Sequence, residues 1–157
     1  MKAARLRRVL NLYPPFLFAG IRVERVDDDF RYARVRLKLR WYNRNYVGTQ
    51  FGGNLFSMTD PFWMIMTMQN LGRDYVVWDK AAEIDFVAPG REDVFAEFRL
   101  DPAVLDTMRA ATEGGEKYLH WYETEVKTAA GELVARLRKQ VYVRRKRRDA
   151  PASGAGG

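Results

Sequence analysis

An α+β fold, an antiparallel sheet wrapped around one central helix, is predicted by three observations on this sequence. Segments with apolar side chains at alternate positions recur six times, the pattern of half-buried strands. A single weakly charged apolar stretch, Phe51 to Met68, falls between the second and third of them. The chain has 157 residues, 47% of them apolar and 13% aromatic, enough for one core and too few for two large domains. Residues 1–148 are expected to form one domain opened by a helix, and residues 149–157, rich in Ala, Pro, Ser and Gly, a disordered tail.

Taken in order, Met1 to Leu12 places Leu6, Val9, Leu10 and Leu12 at near-helical spacing with arginines opposite, and Pro14-Pro15 halts that helix. Ile21–Val26 and Tyr32–Trp41 read as strands joined by the turn Asp27-Asp28-Asp29. In the second, Ala33, Val35, Leu37, Leu39 and Trp41 form the core face. A loop from Tyr42 to Gly53 precedes an apolar helix, Asn54–Leu71, about 25 Å long and ended by Gly72. Strands follow over Tyr75–Ala88, with room for a bulge, and Val94–Leu100. Asp101-Pro102 opens a short helix with Asp101 as its N-cap. Strands Lys117–Lys127 and Glu132–Arg144 close the domain through a tight turn at Ala129-Ala130-Gly131.

Composition removes several chemistries. The absence of cysteine excludes disulfides, thiolate metal sites and cysteine nucleophiles. The single histidine, His120, has no nucleophile elbow to serve, and its strand position reads as an ordinary aromatic-face residue. No His and carboxylate spacing suits a metal, and Asp27-Asp28-Asp29 lacks the rest of a calcium loop, so no metal and no cofactor are expected. The net charge of +7 gathers at the ends: residues 1–8 hold four basic residues and 136–149 hold eight, leaving 15 basic and 19 acidic residues between them. Arg144 to Arg148 offers positive charge to coenzyme phosphates, anionic lipid or RNA, or simply solvates the end of the chain. The four tryptophans share no base-stacking pattern, so no nucleic acid is expected as partner. Phe51 to Met68 contains Asn54, Asp60 and Pro61 and is too short and too polar to span a membrane. With no convincing signal peptide, a cytoplasmic location is expected.

The informative segment runs from Asn43 to Asp60. Gly48, Gly52 and Gly53 allow either a tight turn or a close approach of backbone to a ligand. A helix start offers unpaired N–H groups to a carboxylate, phosphate or oxyanion. Asp60 lies within the apolar run Leu55, Phe56, Met58, Phe62, Trp63, Met64 and Ile65, where an unpaired buried carboxylate costs several kcal/mol. Either it caps a helical segment beginning at Pro61, or it is a functional group at a kink.

The pattern Asn45-x-x-Gly48-Thr49-x-Phe51-Gly52-Gly53, with Asp60 nine residues after Phe51, resembles the Asn-x-x-Gly-x-x-His-Gly-Gly and Asp signature of hotdog-fold acyl-CoA thioesterases of the phenylacetyl-CoA and four-hydroxybenzoyl-CoA group. Asn11-Leu12-Tyr13-Pro14-Pro15 to Gly20, Gly48-Thr49-x-Phe51-Gly52-Gly53 and Asp60-Pro61 resemble a bacterial branch of hotdog proteins of unassigned function, sometimes labelled tetrameric acyl-CoA thioesterases, a likeness spanning most of residues 9–144. The resemblance implies a homodimer or homotetramer that acts on an acyl-CoA or similar thioester. Asp60 would then be the general base or nucleophile, Asn45 the residue orienting water or thioester, and the Gly52 amide the oxyanion donor. Thr49, Phe51, Gly53 and Phe56 would line the substrate site. Phe51 stands where the signature has His and cannot transfer a proton, which leaves a non-catalytic acyl- or lipid-binding module as the alternative.

Overall fold

The computed structural model describes residues 1–146. Six alternating segments become one antiparallel sheet in the order β1-β2-β4-β5-β6-β3: β1 (Ile21–Val26), β2 (Tyr32–Leu37), β3 (Tyr75–Phe86), β4 (Val94–Arg99), β5 (Lys117–Thr128) and β6 (Leu133–Arg145). Strands β1 and β3 are its edges. One row on each strand faces the helices: Ala33, Val35 and Leu37 on β2, and Ala135, Leu137, Lys139, Val141 and Val143 on β6, are all buried. The alternate row, rich in Arg and Glu, faces outward. The expected bulge in β3 lies between Asp79 and Ala81, so Asp79 opposes Val141 and Ala82 opposes Lys139.

The chain opens with α1 (Ala3–Leu12) and α2 (Pro14–Ala19). The proline pair ends the first helix as expected and begins a second, because proline is tolerated where a helix needs no N–H. Asp101 caps α5 (Pro102–Ala111) by accepting the Ala103 N–H at 2.9 Å.

Two expectations are corrected. Strand β2 ends at Leu37, and Trp41 is 81% exposed rather than on the core face. Side chains capture the backbone there: the Asp93 carboxylate accepts the Leu39 N–H at 2.8 Å, and Asn43 Nδ2 donates to the Lys38 carbonyl at 2.7 Å. The central helix is two pieces, α3 (Gly52–Ser57) and α4 (Phe62–Leu71), separated by a turn at residues 58–61. Pro61 has no N–H to return to Ser57, and Thr59 and Asp60 bond to Phe56 and Ser57 in a tightened turn.

Helix α4 is fastened to the inner face of the sheet by aromatic contacts. Phe62 stacks on Phe98 at 4.8 Å between centroids, and Trp63 lies parallel to Tyr122 at 4.2 Å. Trp63 Nε1 donates to Thr124 Oγ1 at 2.7 Å, and the hydroxyls of Thr67 and Tyr122 pair at 2.9 Å. Burial holds the Tyr122 phenol protonated, with its pKa pushed up to about 12.

Candidate functional site

Asp60 sits in the turn between α3 and α4. It is not the cap of α4: that position is Pro61, and no side chain caps the helix. Its carboxylate is half exposed, and its Oδ1 accepts from Lys139 Nζ at 2.7 Å, while the same Nζ reaches the Asp60 carbonyl at 2.9 Å. Lys139 is 6% exposed and stands in the inward row of β6 between Leu137 and Val141. Its stem carries the ammonium to the helix break, 5.8 Å from the centre of the Phe56 ring.

A second carboxylate completes the cluster. Asp79 Oδ2 is 3.2 Å from Lys139 Nζ, and Asp79 Oδ1 is buried without a partner among the described residues. Burial pushes the Asp79 carboxyl up, against the pull of Lys139, and the charge of Asp60 adds to the rise. One ammonium thus serves two carboxylates, and Asp60 Oδ2 takes no hydrogen bond among the described residues. Neither Lys139 nor Asp79 is among the residues expected from sequence. Lys139 was grouped with a basic chain end, yet it and its neighbours are strand residues: Arg136 pairs with Glu125, and Arg138 with Glu83 and Glu123.

The loop before α3 is organised by Asn45. Its Oδ1 accepts the N–H groups of Val47 and Thr49, and its Nδ2 donates to Thr49 Oγ1 at 2.8 Å and to the Gln50 carbonyl at 3.2 Å. Both ends of the side chain, and the Thr49 hydroxyl, are therefore engaged inside the loop. Gly48, at φ +84° in open space, supplies the left-handed turn that closes it. Buried Gln50 anchors the loop to the body through bonds to Leu37, Gly90 and Glu92, a role no local pattern announced.

Phe51 precedes α3 with its ring half exposed, and the first helical amides, Gly52 and Gly53, have no acceptor within the helix. A side chain at Gly52 would meet the Phe86 ring at 2.8 Å, and one at Gly53 the Phe51 ring at 2.5 Å, so both glycines lie under aromatic rings. A hollow of about 320 Å³ beside them is lined by Phe18, Tyr42, Asn43, Arg44, Phe51 and Asn54. A larger one, about 730 Å³, occupies the outer sheet face among charged residues including Arg34, Glu97, Glu125 and Arg138. Asp60 lines neither of these two hollows. His120, whose pKa burial lowers, lies edge-on to Tyr122 at 4.5 Å, and its ring makes no hydrogen bond among the described residues. No group of three or more potential metal ligands occurs among the described residues, and no helix there is long and apolar enough to cross a membrane.

Solved structures share this architecture. A Pseudomonas aeruginosa protein of unknown function, given as a probable thioesterase, superposes with a TM-score of 0.81 at 22% identity, covering 92% of this chain and 97% of the other. A Chlorobaculum tepidum protein of unknown function gives a TM-score of 0.72 at 16% identity over 92% and 94% of the two chains. A Haemophilus influenzae thioesterase gives 0.67 at 12% identity over 95% and 94%. The sequence has no match among curated proteins. These likenesses establish a hotdog fold, with a six-stranded antiparallel sheet against the helical run 52–71. With a family model matched across residues 2–143, the chain belongs to the family described as a domain of unknown function, DUF4442.

Proposed function

We propose that the protein hydrolyses an acyl-CoA or related thioester, with Asp60 as general base. The observation that carries this reading is the break at residues 58–61, which turns a carboxylate out of an apolar helix and fixes it on a buried lysine. Lys139 engages Oδ1 and leaves Oδ2 to receive a proton. Water attacks the thioester carbonyl as Asp60 takes its proton. The tetrahedral intermediate then collapses, and the departing thiolate recovers that proton. An amide donor aimed at the carbonyl oxygen contributes about 100-fold or more to such a step, and the Gly52 N–H is the donor proposed.

Five residues of α-helical rise and a tightened turn of three residues at about 2 Å each put Asp60 about 13 Å beyond Gly52 along the run, too far for one chain's amide and carboxylate to share a carbonyl group. A second copy is therefore part of the proposal. Among the described residues, edge strand β3 pairs on one side only, with β6, and Trp78, Phe86 and Val87 are exposed along it or just beyond it, which supports sheets joined across β3. Asn45 acts in this scheme by fixing the loop that presents Gly52, with Thr49 as its partner. Phe51, Gly53 and Phe56 offer apolar surface to the acyl group.

Purified protein is expected to release free thiol from members of an acyl-CoA panel, and Asp60→Asn to reduce that release by at least about 100-fold. An Asp60→Asn variant as active as the parent would remove Asp60 from the chemistry. The phenylalanine at position 51 favours a second reading, a binding module for acyl thioesters. Saturable acyl-CoA binding without thiol release would select it.

A further inference from the structure

Residues 1–23, with five basic residues, and residues 30–59, with six, contain no acidic residue. The fold sets them side by side. The Lys38 N–H donates to the Gly20 carbonyl at 3.0 Å, and Asn43 Nδ2 donates to the Ala19 carbonyl at 2.7 Å, so the loop after β2 lies against the end of α2. Along that seam the largest apolar side chains point outward. Leu17 and Phe18 of α2 are exposed, as are the edge-packed pair Trp41 and Tyr42, and Tyr46 and Val47 protrude from the loop tip.

These side chains are presented by braced backbone. Asn43 is buried and ties the Trp41–Tyr42 turn to α2 and β2, and Asn45 locks the tip that carries Tyr46 and Val47. In the same loop Arg40 and Arg44 form no ion pair among the described residues, nor do Arg5 and Arg8 on α1. Asp93, the carboxylate bonded to this loop, is held by Arg36 and the Leu39 N–H. The two segments combine aromatic and aliphatic groups with unpaired guanidinium groups and carry no acidic residue of their own.

We propose that this face docks the protein on an anionic phospholipid bilayer. Trp and Tyr side chains partition to the headgroup level, guanidinium groups pair with lipid phosphates, and Leu17 and Val47 reach toward the acyl boundary. The charge pattern selects this occupant over a second copy of the chain at this face, since a two-fold contact between these acid-free segments sets arginines against arginines. The aliphatic members select it over nucleic acid, where base stacking calls for flat rings.

The test uses the full chain with vesicles of phosphatidylcholine alone and of phosphatidylcholine mixed with phosphatidylglycerol. Sedimentation with the mixed vesicles, weakening as salt is raised, is expected, together with a blue shift of tryptophan emission. Replacing two basic residues (Arg40→Gln with Arg44→Gln) is expected to weaken binding about 30-fold, at about fivefold each. Trp41→Phe is expected to retain binding and abolish the blue shift. Asp60→Asn is expected to bind as the parent does, so vesicle binding stands or falls separately from hydrolysis. The proposal is overturned by absence of binding, by equal affinity for both vesicle types, or by unchanged affinity in the double variant. Salt-sensitive binding to single-stranded DNA with no vesicle binding would likewise overturn it.

Discussion

Lys139→Met tests the electrostatic arrangement at the helix break directly. Methionine preserves the length of the stem between Leu137 and Val141 but removes the ammonium that serves Asp60 and Asp79. Breaking a fully buried ion pair by removing one partner costs about 3–5 kcal/mol. That figure is too high for Asp60, whose side chain is 56% exposed and relaxes into water. It applies more nearly to Asp79, 24% exposed, with Oδ1 already lacking a partner. A loss of about 2–3 kcal/mol is the result, or a Tm lowered by about 5–10 °C for a chain of this size. Urea unfolding followed by tryptophan emission measures it, with the m-value checking that the transition remains two-state. Adding Asp79→Leu to Lys139→Met should recover most of the loss, because it removes the carboxylate left stranded. A single variant within about 0.5 kcal/mol of the parent, or a double variant less stable than the single, would refute the assignment of Lys139 as the buried partner.

Three further outcomes follow from geometry elsewhere. Gly90→Ala should destabilise by about 1–3 kcal/mol in chemical denaturation, since the new methyl meets Gln50 Cγ at 2.8 Å and Val134 Cγ1 at 3.3 Å. Trp63→Phe removes the 2.7 Å bond to buried Thr124 and should cost about 1–3 kcal/mol by the same assay, most of it desolvation of an orphaned hydroxyl. Burial lowers the pKa of His120 from its ordinary 6.5, so the unfolded chain binds that proton more readily than the folded one. The stability owed to the neutral ring is whole above about pH 6.5 and is lost as pH falls through the lowered value. His120→Gln should flatten Tm against pH in that window, and an unchanged slope would show that other groups set it.

Much of the fold was legible because its determinants are local. Alternation located all six strands, Asp101-Pro102 located a capped helix, and the room left for a bulge in β3 is used at Lys80. Where the reading failed, a distant group had intervened. The alternation of β2 continues through Leu39 to Trp41, but Asp93 and Asn43 take the backbone groups that a strand would have used. The helix break differs in kind: Pro61 marked it in the sequence, but the expected span Asn54–Leu71 ran across it, and both segments keep one apolar character across the turn.

The candidate site was half legible for a related reason. Asp60 was conspicuous as a charge in an apolar helix, and Lys139 is its mirror image, the one basic residue in the inward phase Ala135, Leu137, Lys139, Val141, Val143. Counting Lys139 with its basic neighbours hid the anomaly, because net charge ignores the face on which a strand residue lies. Asp79 continues the inward phase of Val77, and the bulge after it keeps the carboxylate beside Lys139 while Ala82 takes the position opposite. Three charges, each out of place in its own element, are placed together by the sheet and the helix break, and the two less exposed ones, Lys139 and Asp79, are tolerable because they face each other. An isolated Lys139 would face the cost of burial alone, and an isolated Asp60 would be free to turn into water. Their pairing holds one carboxylate oxygen in a fixed place at the surface and leaves the other without a hydrogen bond among the described residues, the condition that the proposed role of general base requires.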